Sequence, residues 1–235
     1  MADIGTVAII TARGGSKRLP GKNVLPLAGV PLLAWSVNAA VAYGDFAHII
    51  ISSDSDQYCD LALAHGATRA IKRSVELSSD SATSFDVVSD VLERERQAGR
   101  DWTQFVLLQP TSPFRNAQDI SQAMSLFDSR RPEAVVSVCE TECPVEWTGR
   151  LDPDLGMSEF TAYAKSNRRT QDLPRSYRLN GAIYCLNVEA FETQRTFVPT
   201  GALAYAMPRS RSIDVDTEED FAIAQFLASR MPVPA

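Results

Sequence analysis

Residues 7–23 read VAIITARGGSKRLPGKN, and this segment decides what kind of fold the chain can form. Val7 to Thr11 is an uninterrupted apolar run, which is typical of a strand buried on both faces. A loop rich in glycine and basic residues follows it directly. Because ligands sit beyond the carboxyl ends of the strands in parallel α/β sheets, this loop is the first candidate for a binding site.

The alternation of apolar runs and amphipathic stretches continues outward from this segment. Apolar runs predict further strands over 48–52, 105–108 and 134–138, and again over 181–186, 204–207 and 212–215. Helical periodicity predicts helices over 31–43 and 117–127, one capped by Asp54 or Asp56, one from about Ser84, and a last one capped by Thr217. This order predicts an α/β fold with a mostly parallel, Rossmann-like sheet flanked by helices.

The helical pattern fades between residues 139 and 178, where turn residues such as those of LDPDLG at 151–156 dominate. We interpret this stretch as a protruding antiparallel insertion and not as a second domain. The chain is therefore predicted to form a single domain over residues 1–235.

Composition excludes several classes of protein. The chain is 45% hydrophobic and 22% charged, which argues against wholesale disorder, and its net charge of −6 disfavours a nucleic-acid binder. There is no apolar run long enough for a membrane span and no basic leader at the N-terminus, so we expect a soluble, cytoplasmic protein without a membrane partner. The two histidines, His48 and His65, lie in no motif typical of nucleophilic catalysis.

The loop after the first strand has the chemistry of a phosphate site. Arg13, Lys17, Arg18 and Lys22 place four cations in ten positions, between glycines that let the backbone approach a ligand. A triphosphate needs both the backbone donors and the fixed positive charge. The loop matches neither the Walker A pattern nor GxGxxG, and a solvated basic surface loop is the alternative.

Two further motifs carry candidate site residues. In SIDVD at 212–216, Asp214 and Asp216 alternate along an extended segment and can converge on a cation such as Mg²⁺, or one of them can cap the last helix. In LQPTSP at 108–113, two prolines hold a rigid loop from which Gln109 can point its amide into the crevice; a purely structural turn is the alternative.

Five motifs in register resemble the CMP-sialic acid synthetases, the acylneuraminate cytidylyltransferases. They are ARGGSKRLPGKN at 12–23, Arg73 with ELSSDSATS at 76–84, LQPTSPFR at 108–115, the stretch from Leu173-Pro174 to NGAIY at 180–184, and SIDVDTEED at 212–220. They cover residues 6 to 228, nearly the whole chain.

The resemblance implies a nucleotidyltransferase fold and an enzyme that joins CTP to a nonulosonic (sialic) acid with Mg²⁺, releasing pyrophosphate. The nucleotide-binding residues that it implies are Arg13, Gly14, Ser16, Lys17, Lys22, Asn23, Arg73 and Ser84. Gln109, Asn180, Tyr184 and Arg169 would bind the sugar acid, and Asp214 and Asp216 the metal. Lys17, Arg13, Asp214 and Asp216 would be catalytic, with Lys17 at the α-phosphate. The 139–178 insertion resembles an arm that reaches into a partner's active site, which implies a homodimer.

The chain departs from the family pattern at the sugar pocket. The lysine that some members carry after the VVSVC strand is absent from ECPVEW at 142–147. Thr170 stands where an arginine is often found, with Arg168 and Arg169 beside it. N-acetylneuraminate is the expected substrate, and legionaminate, pseudaminate and the eight-carbon Kdo are alternatives. A non-catalytic nucleotide-binding protein is a more remote alternative to a transferase.

Overall fold

A seven-stranded sheet forms the centre of the part of the chain that the computed structural model describes, which is residues 5–79, 81–160, 169 and 172–230. Its strands are β1 (Val7–Ala12), β4 (His48–Ser53), β5 (Arg69–Lys72), β6 (Gln104–Leu107), β7 (Ala134–Glu140), β8 (Tyr177–Asn187) and β9 (Leu203–Ala206). A small hairpin consists of β2 (Pro26–Leu27) and β3 (Val30–Pro31). The helices are α1 (Leu32–Tyr43), α2 (Asp56–Ala64), α3 (Ser84–Gln97), α4 (Ala117–Arg130), α5 (Val188–Gln194) and α6 (Glu218–Ala228).

The sheet is mostly parallel, as the alternation of elements predicts. The strand order is β5-β4-β1-β6-β8-β7-β9, and only β8 runs antiparallel to its neighbours, β6 and β7. The predicted α/β fold, with a mostly parallel sheet flanked by helices, is therefore confirmed. The antiparallel strand divides the sheet into a parallel half around β1 and a mixed half around β8.

Two hydrophobic cores cover the two faces of the sheet. Alternate side chains of β1 enter different cores, because successive residues of a strand point to opposite faces. Ala8 and Ile10 join side chains of α1, α2 and α4, whereas Val7 and Ile9 join those of α3 and α5. All four β1 residues are fully buried, which agrees with the uninterrupted apolar run of the sequence.

A third hydrophobic cluster lies under the loops at one edge of the sheet. It joins Leu19 of the basic loop, Leu27 and Trp35 of the hairpin and α1, Phe114 of the LQPTSPFR loop, and Val215 between the two aspartates. The Trp35 and Phe114 rings meet edge to face, with centroids 5.5 Å apart. Motifs that are far apart in the chain are thus packed on one apolar base.

Several local features differ from the sequence predictions. Ser55 caps α2 through a bond from the Tyr58 amide, so neither Asp54 nor Asp56 does so. Residues 212–215 form no strand, because their backbone amides bond to loops and not to a neighbouring strand: Val215 donates to the Thr111 carbonyl and Ser212 to the Arg209 carbonyl. The short elements β2, β3, β5 and α5 were not predicted, since each is too brief to show a period. Thr217 caps α6 as predicted, and capping boxes begin both α3 and α6.

The predicted insertion begins and ends on an antiparallel strand pair. Glu140, at the end of β7, pairs with Tyr177, at the start of β8. Between them the described residues contain two short 3-10 helices, Val145–Trp147 and Ser158–Phe160. The predicted arm over 139–178 also includes residues 161–168, 170 and 171, which lie outside the described part. Its role and the single-domain organisation remain predictions.

None of the helices in the described ranges combines the length and the apolar character needed to cross a bilayer.

Asp119 anchors the mixed half of the sheet to the segment that leads into the acidic pair. It forms a capping box with Asn116 at the start of α4. Its buried carboxylate also accepts bonds from the Arg211 Nε and Nη2 atoms, at 3.0 and 2.7 Å, and from the Tyr205 hydroxyl at 3.1 Å. One side chain thus holds a helix N-terminus and the chain just before Asp214.

We expect Asp119→Ala to lower the free energy of unfolding by about 2–4 kcal/mol, because it removes the Asp119 half of the capping box and the charge-assisted bonds from Arg211. Asp60→Ala, at an exposed site on α2, serves as the control and should change stability by no more than about 0.5 kcal/mol. Urea unfolding followed by circular dichroism measures both. Equal stability of the two variants would contradict the anchoring role.

Candidate functional site

A cleft of about 600 Å³ opens at the carboxyl ends of the parallel strands. Its lining comes from the basic loop, the residues after β5 and before α3, the loop after β6, and the acidic segment. Of the residues predicted for the site, Arg13, Ser16, Lys17, Lys22, Asn23, Arg73, Ser84, Gln109, Asp214 and Asp216 line it. Segments that are up to 200 residues apart in sequence therefore meet in one cavity.

The basic loop is held in shape by its own polar contacts. The Gly14 amide donates to Asp54 Oδ1 at 2.8 Å, and the Asn23 amide group donates to the Arg13 carbonyl at 3.2 Å. Gly14 does not line the cleft, since its amide faces Asp54. The structure thus gives Gly14 a role in loop shape, where the sequence predicted nucleotide contact.

Asp54 has a role that the sequence does not predict, because the sequence offers it only as a helix cap and its carboxylate accepts from the basic loop. It directly follows β4, at the edge of the sheet where the strand ends gather, and that position was the available signal. Its carboxylate faces Gly14 and supports the positive charge of Arg73.

Arg73 is a buried cation in the cleft wall. Its guanidinium donates from Nε to Ser52 Oγ at 3.0 Å and from Nη2 to the Ser52 carbonyl at 2.8 Å. Burial lowers the pKa of Arg73 to about 10, against the attraction of Asp54. The side chain therefore remains charged at neutral pH, and its anchoring on β4 fixes where that charge lies.

The N-terminus of α3 closes the same end of the cleft. Thr83 caps the helix, and Thr83, Ser84 and Val87 all line the cavity. The partial positive charge of a helix N-terminus favours an anion nearby. This end of the cleft thus brings together the N-terminus of α3, with Ser84, and the positive charge of Arg73.

The acidic segment lies directly against the basic loop. Asp216 accepts from Lys22 Nζ at 2.7 Å and from Arg18 Nη2 at 2.6 Å, and Lys22 also donates to the Val215 carbonyl at 3.1 Å. Lys22 is largely buried, whereas the Arg18 side chain is 68% exposed. These direct ion pairs were not foreseen from the sequence.

Asp214 has a different environment from Asp216. The pKa of Asp214 is raised, mainly because the cleft walls remove water from its carboxylate and also because Asp216 repels it, while a bond from Thr111 acts in the opposite sense. Thr217 caps α6, so neither aspartate serves as the helix cap that the sequence left open. Within the described residues, no cluster of three or more acidic, histidine or cysteine side chains could hold a metal ion.

Three of the residues predicted to bind the sugar do not line the cleft. Tyr184 is buried in the sheet, where burial and the nearby Asp214 charge raise its pKa. Asn180 is buried and bonded to Ser137, Met207 and Ser212. Arg169 is exposed. Of the residues predicted for the sugar, Gln109 alone is brought into the cleft in the described part of the chain.

Comparison with known proteins identifies the family. A family model described as Cytidylyltransferase matches residues 7–194. The chain belongs to the cytidylyltransferase family. The resemblance that the sequence motifs indicated is therefore confirmed at the level of the family.

Characterised relatives of this cytidylyltransferase-family chain include an N-acylneuraminate cytidylyltransferase of Streptococcus agalactiae, 38% identical over 92% of this chain and 51% of that protein. A CMP-N,N'-diacetyllegionaminic acid synthase of Legionella pneumophila is 34% identical over 94% of this chain and 95% of that protein. The chain thus spans about half the length of the streptococcal relative and nearly all of the Legionella relative.

A solved structure has the same fold. A CMP:2-keto-3-deoxy-manno-octonic acid synthetase complexed with CTP superposes with a TM-score of 0.70 at 16% identity. The superposition covers 96% of this chain and 99% of that one.

We expect Asp54→Ala to weaken the binding of CTP at least tenfold, because the Gly14 amide loses its acceptor and the basic loop loosens. Asp54→Asn keeps an acceptor oxygen while it removes the charge, so it should bind within about threefold of the unmodified chain, a difference of roughly 0.7 kcal/mol. Isothermal titration calorimetry measures both affinities. Equal losses in the two variants would show that the Asp54 charge matters and its hydrogen bond does not.

Proposed function

We propose that this chain transfers CMP from CTP to the anomeric hydroxyl of a nonulosonic acid, N-acetylneuraminate, and releases pyrophosphate. The observation that carries this proposal is that the basic loop and the acidic pair line one cleft and touch through Lys22 and Asp216, 2.7 Å apart. A triphosphate requires the cations, and an acceptor hydroxyl requires a nearby carboxylate. Membership of the cytidylyltransferase family supports this proposal.

The nucleotide occupies the parallel half of the cleft in this proposal. Lys17 contacts the α-phosphate, and Arg13 and Lys22 lie near the departing pyrophosphate. Arg73 and Ser84 hold the nucleoside end. The buried, anchored guanidinium of Arg73 suits this role, because a fixed donor recognises a base without first having to be ordered.

The proposed reaction is an in-line displacement at phosphorus. The anomeric oxygen of the sugar acid attacks the α-phosphorus, and the bond from that phosphorus to the bridging oxygen of the pyrophosphate breaks. The hydroxyl proton passes to Asp214. We assign this role to Asp214 because it lines the cleft, whereas Asp216 is already paired with Lys22 and Arg18. The cationic loop stabilises the negative charge that develops on pyrophosphate.

Mg²⁺ is the cofactor that we propose, held by Asp214 and Asp216. The donor set fits a cation there, because two carboxylates line the same cleft. Magnesium commonly takes one or two carboxylates and completes its shell with phosphate oxygens and water, so a larger protein cluster is not required. When bound, it would supply charge screening for the triphosphate and polarisation of the hydroxyl.

Diacetyllegionaminate is the second candidate acceptor, because the Legionella relative matches this chain over nearly its full length. The lysine that some family members carry after the VVSVC strand is absent from this chain, and Glu142 in that region pairs with Arg209 at 2.9 Å. Pseudaminate and Kdo are the further alternatives. A cytoplasmic location remains a prediction.

Incubation of the purified chain with CTP, Mg²⁺ and each candidate acid tests the proposal, with the CMP-sugar identified by mass and pyrophosphate release measured in parallel. We expect product with N-acetylneuraminate. If only one of the other acids gives a product, that acid and not N-acetylneuraminate is the substrate. Binding of CTP without product from any acid would contradict transferase activity and favour a nucleotide-binding protein.

We expect Asp214→Asn and Lys17→Ala each to lower turnover at least tenfold, equivalent to about 1.4 kcal/mol of barrier. The amide neither accepts the hydroxyl proton nor carries the charge, and the alanine removes the cation at the α-phosphate. Glu218→Gln, an exposed acid in the first turn of α6, is the matched control and should keep normal turnover. Near-normal turnover of purified Asp214→Asn would contradict the assigned role of that residue.

We also propose that the chain forms a homodimer through the insertion. Five apolar side chains of the described part of the insertion are more than half exposed: Val145, Trp147, Leu151, Leu155 and Met157. An exposed apolar surface of this kind is typical of an interface, and a second copy of the chain is the partner that we propose for it.

The variant Trp147→Ser with Leu155→Ser should shift the chain from dimer to monomer in size-exclusion chromatography with light scattering, because it removes apolar contact area. Val75→Ser is the control, since Val75 is 84% exposed but lies outside the insertion. A chain that is monomeric without any substitution would contradict the proposal.

A further inference from the structure

A wide bulge interrupts β8 next to the cleft. Val136 pairs with Tyr184 and Val138 with Leu179, so the single residue Ser137 of β7 faces the four residues 180–183 of β8. Bulges of this kind redirect a strand, and they are common beside active sites. This one lies where β8 passes the loop that follows β6.

Buried hydrogen bonds hold the bulge in place. The Ser137 hydroxyl donates to Asn180 Oδ1 at 2.6 Å and accepts from the Ile183 amide at 2.7 Å. The Asn180 amide group donates to Ser212 Oγ at 2.9 Å. Asn180 and both serines are buried, so the shape of the bulge is set from inside the protein.

The bulge brings Gly181 against the side chain of Gln109. A Cβ atom on Gly181 would lie 2.6 Å from Gln109 Oε1 and 3.0 Å from Ser112 Oγ. Gly181 also has a φ of +73°, a conformation that residues with a side chain adopt rarely. The absence of a side chain at this position therefore gives the Gln109 carboxamide the space that it occupies.

Arg115 fixes the backbone of the same glutamine. Its buried guanidinium donates to the Gln109 carbonyl, to Ser36 Oγ at 2.7 Å and to the Ala182 carbonyl at 2.6 Å. Because Ala182 belongs to the bulge, Arg115 ties the Gln109 loop to the bulge directly. Arg115 thus holds the backbone carbonyl of Gln109, and Gly181 leaves the space in which the Gln109 carboxamide lies.

Gln109 lies on the side of the cleft away from the nucleoside end. Arg73 follows β5 at one end of the sheet, the basic loop follows β1, and Gln109 follows β6, which pairs with the antiparallel strand β8. Asp214 is near this side, since its charge raises the pKa of Tyr184 on β8.

We propose that Gly181 is a positioning residue for the acceptor: it sets where the Gln109 carboxamide stands and thereby how the sugar acid binds. This inference rests on the proposed transferase function. A carboxamide offers two donors and an acceptor, so its position selects among acids that differ in hydroxyl and acylamino groups.

Gly181→Ala tests the proposal against Gly201→Ala. Gly201 has a φ of +88°, but a Cβ there would meet only Glu133 Cγ, at 3.5 Å. Both variants therefore carry backbone strain, and only Gly181→Ala displaces Gln109. We expect Gly181→Ala to raise the KM for the sugar acid at least tenfold and to leave the KM for CTP within threefold, and Gly201→Ala to change neither. Equal effects of the two variants would overturn the proposal, as would an unchanged KM for the acid.

A double variant identifies Gln109 as the group through which Gly181 acts. In a Gln109→Ala background, Gly181→Ala should change the KM for the acid by less than twofold, because no carboxamide remains to be displaced. If Gly181→Ala raises the KM for the acid as much in the Gln109→Ala background as in the unmodified chain, the proposal is contradicted. If Gly181→Ala alone does not fold, Gln109→Ala tests the carboxamide directly, and an unchanged KM for the acid in that variant would overturn the proposal.

The proposed function and this inference fail in different ways. A chain that forms no CMP-sugar from any acid contradicts the transferase proposal. In that case a crystal structure of Gly181→Ala still decides whether the carboxamide moves, and an unmoved Gln109 would overturn the inference. A chain that is active and insensitive to Gly181→Ala contradicts the inference alone.

Discussion

The ion pair between Lys22 and Asp216 is the contact on which the arrangement of the site depends. It joins the basic loop after β1 to the acidic segment before α6, with Lys22 Nζ 2.7 Å from Asp216 Oδ1. The pairing stabilises both segments, because the clustered cations of the basic loop repel one another and so do the two aspartates. The apolar cluster that contains Leu19, Phe114 and Val215 joins the same two segments, and the Lys22 side chain is only 13% exposed.

Three buried charged side chains hold loops and a helix end in place. Arg73, Arg115 and Asp119 are each buried and each has bonded partners inside the protein. Burial lowers the pKa of Arg115 to about 9, which reflects how unfavourable its charge is without water. Apolar side chains could fill the same volumes, but they could not direct a loop carbonyl or a helix end, which is the role these groups have here.

The two halves of the sheet correspond to the two halves of the proposed reaction. The parallel strands β5, β4 and β1 place Arg73 and the basic loop, which are the groups proposed to bind the nucleotide. The antiparallel strand β8 and its bulge place Gln109, which is proposed to bind the acceptor. The proposed nucleotide groups and the proposed acceptor group therefore depend on different strands.

The sequence by itself determined the α/β class, the main strands and helices, and the basic loop and acidic pair as site candidates, because periodicity and clustered charge are local properties. Only the tertiary structure decided that Asp216 binds Lys22, that the Gly14 amide donates to Asp54, that Asn180 is buried against Ser137, and that Arg115 and Gly181 lie against Gln109. These facts depend on contacts between residues far apart in the chain. Composition and spacing carry no record of such contacts, since they arise only when distant strand ends are packed together.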